Sequence, residues 1–126
     1  MAIVGIGTDI VQIQRIAESL ERSPRLVMRV LNLEEQAIYA NHSQPARYFA
    51  KRFAAKEAAA KALGTGIGRG ISFQHLVISN DELGRPLLTL VDAAKARADQ
   101  LGVNAVWVSI SDEVDYATAT VILERQ

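Results

Sequence analysis

The sequence predicts an α+β fold, a mainly antiparallel sheet packed around one long central helix. Three observations carry that prediction. Ala, Lys, Arg, Glu and Leu, all strong helix formers, dominate residues 46–63. β-rich runs at 2–11, 73–79, 87–90, 105–111 and 116–124 surround this helix, and two pairs of them are joined by short polar turns. No repeat, low-complexity run or linker interrupts the 126 residues, and 49% hydrophobic content is enough for the core of one domain spanning 1–126.

Ala2–Val11 is apolar and β-rich, which predicts a buried strand with a single acid, Asp9, near its end. Gly5 and Gly7 would permit close packing there. A buried carboxylate is costly unless paired or metal-bound, so Asp9 is either a cap for the next helix or a cation ligand. Across 12–21, Ile13, Ile16, Ala17 and Leu20 recur at helical spacing. Arg15, Arg22, Arg25 and Arg29 run through this helix and the short segment after Ser23-Pro24, opposed by Glu18 and Glu21. Such charges often make only a solvated face, but arginine also docks carboxylate- or phosphate-bearing partners by forked hydrogen bonds.

Asn32 and Glu35 form a capping box for a short helix through Tyr39, and Asn41–Pro45 is a turn in which His42 is an ordinary loop histidine. Pro45 suits the first turn of the central helix and Gly64 its C-terminal cap. On that helix Phe49, Phe53, Ala60 and Leu63 form an apolar stripe, yet Lys56 falls inside it and Glu57 lies beside it, one turn from Lys61. As a plain surface pair, Glu57 and Lys61 would contribute only a few tenths of a kcal/mol. Gly64, Gly66, Gly68 and Gly70 then alternate, half of the chain's eight glycines. A loop of this kind can turn amides toward an anion and let a phosphate approach the backbone. Neither the dinucleotide fingerprint nor a Walker lysine pattern is present.

Phe73–Ser79 and Leu87–Leu90 read as a hairpin around the turn Asn80–Pro86. His75 alternates with apolar neighbours and reads as packing, while Arg85 in the turn is either exposed or a phosphate contact. Val91–Leu101 is an alanine-rich helix stopped by Gly102. Ala105–Ser111 and Tyr116–Glu124 complete a second, core hairpin, whose acidic link Asp112–Asp115 is a polar turn or a group of carboxylates facing the charged site.

The formal net charge of zero hides an asymmetry. Residues 1–70 carry ten Lys/Arg against six Asp/Glu, and residues 71–126 carry four against eight. Neutrality argues against a general nucleic-acid binder, while the basic half leaves room for an acidic partner or a self-complementary oligomer. The lack of cysteine fits a reducing compartment, and no secretory segment or long apolar span follows Met1, so a soluble cytoplasmic protein without a membrane partner is expected.

If Asp9 and Glu57 meet, their carboxylates make a hard oxygen site suited to magnesium, completed by water and a substrate phosphate. Zinc and iron patterns are missing, since the chain has two histidines and no cysteine. Magnesium beside the glycine loop and Arg52, Lys56 and Lys61 points to phosphoryl-type chemistry.

Two blocks carry a family resemblance: Gly5-Ile6-Gly7-Thr8-Asp9-Ile10-Val11, and Arg52 through Gly66 with its Phe53-Ala54-Ala55-Lys56-Glu57-Ala58-Ala59-Ala60-Lys61 core. Together they resemble the signatures of the small 4′-phosphopantetheinyl transferases of the holo-[acyl-carrier-protein] synthase type, and the likeness extends over the whole chain, including Gly84-Arg85-Pro86 and Ser109-Ile110-Ser111. It implies transfer of 4′-phosphopantetheine from coenzyme A to a serine of apo acyl carrier protein in fatty acid biosynthesis, with release of adenosine 3′,5′-bisphosphate. By the same resemblance Asp9 and Glu57 hold magnesium, and Asp9, Glu57 and Lys61 are the catalytic candidates. Arg52, Lys56, Lys61, Gly64, Thr65 and Gly66 would hold the coenzyme A phosphates, and Gly84, Arg85 and Pro86 would border its adenosine end. Arg15, Arg22, Arg25 and Arg29 would dock the carrier protein, and the assembly would be a homotrimer with sites between subunits. Some family members carry a histidine after the Ser-Ile-Ser strand where this chain has Asp112 and Glu113, so the general base stays open between Glu57, Lys61, Asp112 and a metal-bound water. The competing readings are a non-catalytic coenzyme A or carrier-protein binding module and a magnesium-dependent hydrolase of small pyrophosphates.

Overall fold

A computed structural model describes all of residues 1–126. Five strands and five helices follow one another as β1 (Ala2–Gln12), α1 (Ile13–Arg22), α2 (Leu26–Val30), α3 (Leu33–Ala40), α4 (Pro45–Ala62), β2 (Leu76–Asn80), β3 (Pro86–Leu90), α5 (Asp92–Leu101), β4 (Ala105–Asp112) and β5 (Tyr116–Arg125). Every strand pairing is antiparallel, in a three-stranded sheet ordered β1-β5-β4 and a separate β2-β3 ribbon. The α+β architecture around a central helix is therefore the observed one. No helix is long and apolar enough to cross a membrane.

Helix α4 lies on the sheet because β1 offers it no side chains at two points. A Cβ on Gly5 would stand 2.1 Å from the Ala62 carbonyl oxygen, and one on Gly7 would stand 2.0 Å from that of Ala58. The alanines Ala54, Ala55, Ala58, Ala59 and Ala62 complete this close contact and join Leu63, Leu76, Ile78, Leu90, Val121 and Leu123 in the main core. A second apolar cluster, Val30, Leu31, Tyr48, Phe49 and Phe73, fills the space under α2. Full burial of Phe49 there contributes about 2 kcal/mol.

The capping box is present as expected: Glu35 N donates to Asn32 Oδ1 and Asn32 N donates to Glu35 Oε1, both at 2.9 Å. Gly102 ends α5 in the left-handed region at φ 77°. Two elements differ from expectation. Residues 73–75 form a 3₁₀ turn rather than the start of a strand, because Gln74 N donates to Ser72 Oγ and Ser72 N donates to His75 Nδ1. His75 thus has a hydrogen-bonding role in that turn. The other difference is β1, which is buried on one face only, leaving Ile3, Ile6 and Ile10 exposed. Cross-strand register sets Ile6 beside Ile122 and Ile122 beside Trp107, so the sheet face opposite α4 carries an open apolar row.

Candidate active site

The glycine-mediated seating of α4 on β1 brings Asp9 to the helix face that carries Glu57 and Lys61. Lys61 Nζ donates to Asp9 Oδ1 and to the Thr8 carbonyl oxygen, each at 3.0 Å. The expected Glu57–Lys61 surface pair gives way to this cross-element bond, and Asp9 pairs with Lys61 instead of capping a helix. No hydrogen bond satisfies the Glu57 carboxylate, which is half-buried. Burial first, then the nearby Asp9 charge, push its carboxyl above the usual range, against the pull of Lys61 and Arg29. Two carboxylates held together at such a cost fit a hard divalent cation. No group of three or more His, Cys, Asp or Glu side chains in the chain is arranged to hold a metal by itself, so a cation at this pair would depend on oxygens from water or substrate.

Lys56 is a correction to the expected phosphate contacts. Its side chain is 0% exposed. Its ammonium group donates to Val30 O at 2.7 Å, Glu35 Oε1 at 2.7 Å and Phe73 O at 3.3 Å, so all three protons are occupied inside the protein. Burial holds its pKa below the usual lysine range, with Glu35 pulling it back up. The charge on the apolar stripe exists to meet Glu35, a residue that the sequence marks only as a capping-box acid. Glu35 also accepts from Ile78 N at 3.3 Å.

The amide cradle is a second correction. Thr65 N and Gly66 N both donate to Ala60 O, Gly64 N donates to Lys61 O, and Gly68 N donates to Ile71 O. These amides cap α4 and close the loop on itself, and the Thr65 hydroxyl donates to Gly66 O. What the glycines provide is backbone shape: Gly64, Gly66, Gly68 and Gly70 all have positive φ. A Cβ on Gly66, Gly68 or Gly70 would meet nothing within 4 Å, so the loop exposes bare backbone.

Arg52 is buried as well. It donates through Nη2 to Asn80 Oδ1 at 2.9 Å and lies 5.0 Å over the Tyr48 ring, while its Nη1 has no hydrogen-bond partner and stands 4.0 Å from Glu35 Oε2. It lines a cavity of about 340 Å³ with Arg47, Lys51, His42, Asn80 and Ile110. Arg47 and Lys51 carry no motif and sequence reasoning passes over them. Both pair with Asp112, at 2.9 and 3.4 Å, and Arg47 also donates to the carbonyls of Glu113 and Val114. Burial alone would raise the Asp112 pKa, but the Arg47 bond and the Lys51 charge hold it low. The acidic link is therefore pinned to the start of α4 and its Asp112 is occupied there. Arg85, in the Gly84-Arg85-Pro86 turn, is exposed and 3.5 Å from Asp81. It borders a smaller cavity with Pro86, Leu88 and Trp107.

Arg22, Arg25 and Arg29 line one cavity of about 390 Å³ together with Pro24 and Leu26. Arg15 stands apart from them, beside Ile10, Val11 and Ser19. The Arg29 guanidinium lies 5.9 Å over the Phe73 ring, and its charge reaches Glu57. Of the arginine run, Arg29 is therefore the member whose charge acts on the carboxylate pair.

Such a fold, with a carboxylate pair and a lysine where a glycine-bearing strand meets a helix, defines a class. Residues 5–121 match the family described as the 4′-phosphopantetheinyl transferase superfamily, and the chain belongs to it. Within that class, the chain is 62% identical to a protein from Shewanella denitrificans named holo-[acyl-carrier-protein] synthase, over 98% of this chain and 99% of that one. The crystal structure of holo-[acyl-carrier-protein] synthase from Neisseria meningitidis superposes with a TM-score of 0.91 at 40% identity, covering 98% of this chain and 100% of that one. A Bacillus anthracis holo-(acyl-carrier-protein) synthase in complex with CoA (3′,5′-ADP) gives a TM-score of 0.82 at 36% identity, covering 98% of each chain.

Proposed function

We propose that this chain transfers 4′-phosphopantetheine from coenzyme A to a serine of apo acyl carrier protein, the activity named for its relatives. The observation that carries the reading is the convergence of Asp9, Lys61 and an unpartnered Glu57 where β1 meets α4, within reach of the Arg29 charge. We read the 126 residues as one functional unit, cytoplasmic and acting in fatty acid biosynthesis.

Asp9 and Glu57 would hold magnesium, which when bound offsets charge on the coenzyme A pyrophosphate and orients it. The serine oxygen bonds to the phosphorus that bears the pantetheine arm. The bond from that phosphorus to the oxygen of the adenosine-side phosphate breaks, and adenosine 3′,5′-bisphosphate leaves with the bonding electrons. Lys61, held by Asp9, would meet the developing negative charge. Glu57, half-buried and bound to no donor of the chain, would besides holding the metal order a water that carries the serine proton out to solvent. In the Gly64-Thr65-Gly66 stretch, the bare backbone at Gly66 would let a phosphate approach closely. Arg52, Arg47 and Lys51, which line one cavity, would form a cationic wall for the remaining phosphate, with Gly84, Arg85 and Pro86 at the adenosine end.

The acidic carrier protein would dock on Arg15, Arg22, Arg25 and Arg29. A homotrimer, with sites between subunits, would cover the apolar row Ile6, Ile122 and Trp107 on the open sheet face.

Intact-protein mass spectrometry of an apo acyl carrier protein, after incubation with this protein, coenzyme A and magnesium, tests the reading. A phosphopantetheine adduct that disappears with excess chelator is expected. Coenzyme A binding without any adduct would overturn it in favour of a non-catalytic binding module.

A further inference from the structure

Helix α2 is only five residues long, too short to persist on its own backbone bonds. It nevertheless carries Arg29, starts beside Arg25, and contributes Leu26 and Arg29 to the arginine-lined cavity. What holds it is a set of side chains from other elements that reach the carbonyls at its C-terminal end, where a helix has no donors of its own to offer them. The Gln74 amide donates to Met28 O at 2.9 Å, Arg29 O at 3.2 Å and Leu31 O at 2.9 Å. Lys56 takes Val30 O at 2.7 Å and Gln36 takes Leu31 O at 2.8 Å. Four consecutive carbonyls, Met28 to Leu31, are thereby tied to the 3₁₀ turn, α4 and α3.

Gln74 is the principal member of this set. It serves three of the four carbonyls, it follows Phe73, over whose ring Arg29 lies, and it sits in the turn that closes the glycine loop after α4. We propose that Gln74 is a positioning residue for carrier-protein recognition: its amide locks α2 so that Arg25 and Arg29 face the acidic partner in register with Glu57. This inference rests on the reading that the arginine run docks the carrier. Because Gln74 lies off the carboxylate pair and off the cavity lined by Arg52, it acts on one substrate and leaves the other alone.

The test is steady-state kinetics of the full chain, varying apo acyl carrier protein and coenzyme A separately. Gln74→Met, which keeps the length and removes the donors, is expected to raise the KM for the carrier roughly tenfold, with kcat and the KM for coenzyme A within about twofold of the parent. Gln74→Lys restores donors to the same carbonyls and is expected to recover most of that loss. Amide hydrogen exchange at Val30 and Leu31 is expected to speed up in Gln74→Met and to slow again in Gln74→Lys. Arg22→Glu is the benchmark for docking. If Arg22→Glu raises the carrier KM and Gln74→Met does not, the positioning role is refuted while docking stands. Equal rises in both KM values, or a fall in kcat alone, would reduce Gln74 to a general structural part and also refute it. If Arg22→Glu leaves the carrier KM unchanged, the docking reading itself fails. Should Gln74→Met not fold, Gln74→Ala removes the same donors without burying a longer apolar chain and is judged by the same split.

Discussion

Lys61 binds Asp9 across 3.0 Å, although Glu57 lies only one turn before it on the same helix. The pairing crosses from α4 to β1 and leaves Glu57 as the unsatisfied member of a charged trio. That asymmetry sets the chemistry, since one carboxylate is anchored by a cation while the other is free to take a metal or a proton.

The trio depends on how closely α4 approaches β1. Gly7→Ala would place a Cβ 2.0 Å from the Ala58 carbonyl oxygen, a backbone atom that cannot swing aside. Chemical denaturation is expected to show a loss of about 2–3 kcal/mol, and activity is expected to fall with it as Asp9 is moved away from Glu57. Gly66→Ala, in open space but at φ 65°, is expected to cost only about 1 kcal/mol. Equal effects at the two positions would contradict the close-approach argument.

Asp9→Asn keeps the side chain's shape and a lone pair for Lys61 but removes the charge. A folded protein with turnover lower on the order of 100-fold is expected, measured as carrier-protein modification at saturating coenzyme A. Normal activity of this variant at limiting magnesium would reject the metal assignment.

Glu57→Gln separates stability from activity. In the parent, the folded-state pKa of Glu57 lies above its unfolded value, so the metal-free protein loses stability as pH rises through that interval. Thermal melts in chelator are expected to show the variant more stable than the parent at neutral and alkaline pH. The difference should close as pH falls below the ordinary carboxylate range, where Glu57 is protonated in both states. A variant that is less stable at every pH would show that Glu57 has a favourable partner after all.

Lys56→Met leaves Glu35 buried at 1% exposure without its principal cation. Breaking a buried pair from one side is expected to cost about 3–5 kcal/mol. Adding Glu35→Gln to that variant removes the stranded charge and keeps one oxygen acceptor, for Asn32 N, at the expense of the longer bond from Ile78 N, and is expected to recover part of the loss in urea denaturation. Additive losses in the double variant would show that the two side chains act independently.

Much of this protein is legible in its sequence because local chemistry decides it. Helix propensity with Pro45 and Gly64 delimited α4 to within a residue, Asn32 and Glu35 capped α3 as their spacing required, and Gly102 stopped α5. Asp9, Glu57 and Lys61 stood out because charges on otherwise apolar elements need partners. Which partners they take is a long-range matter. Glu57 and Lys61 look like a pair along the helix, yet two glycines on β1 let Asp9 in to claim the lysine. Lys56 looked like a phosphate ligand until α3 placed Glu35 against it, and the glycine loop's amides looked free until α4 needed them as a cap. Sequence alone therefore determined the elements and the residues that carry charge at cost. Tertiary structure decided which of those charges neutralise one another and which remain open to a ligand, because each pairing is set by approach distances between elements far apart in the chain.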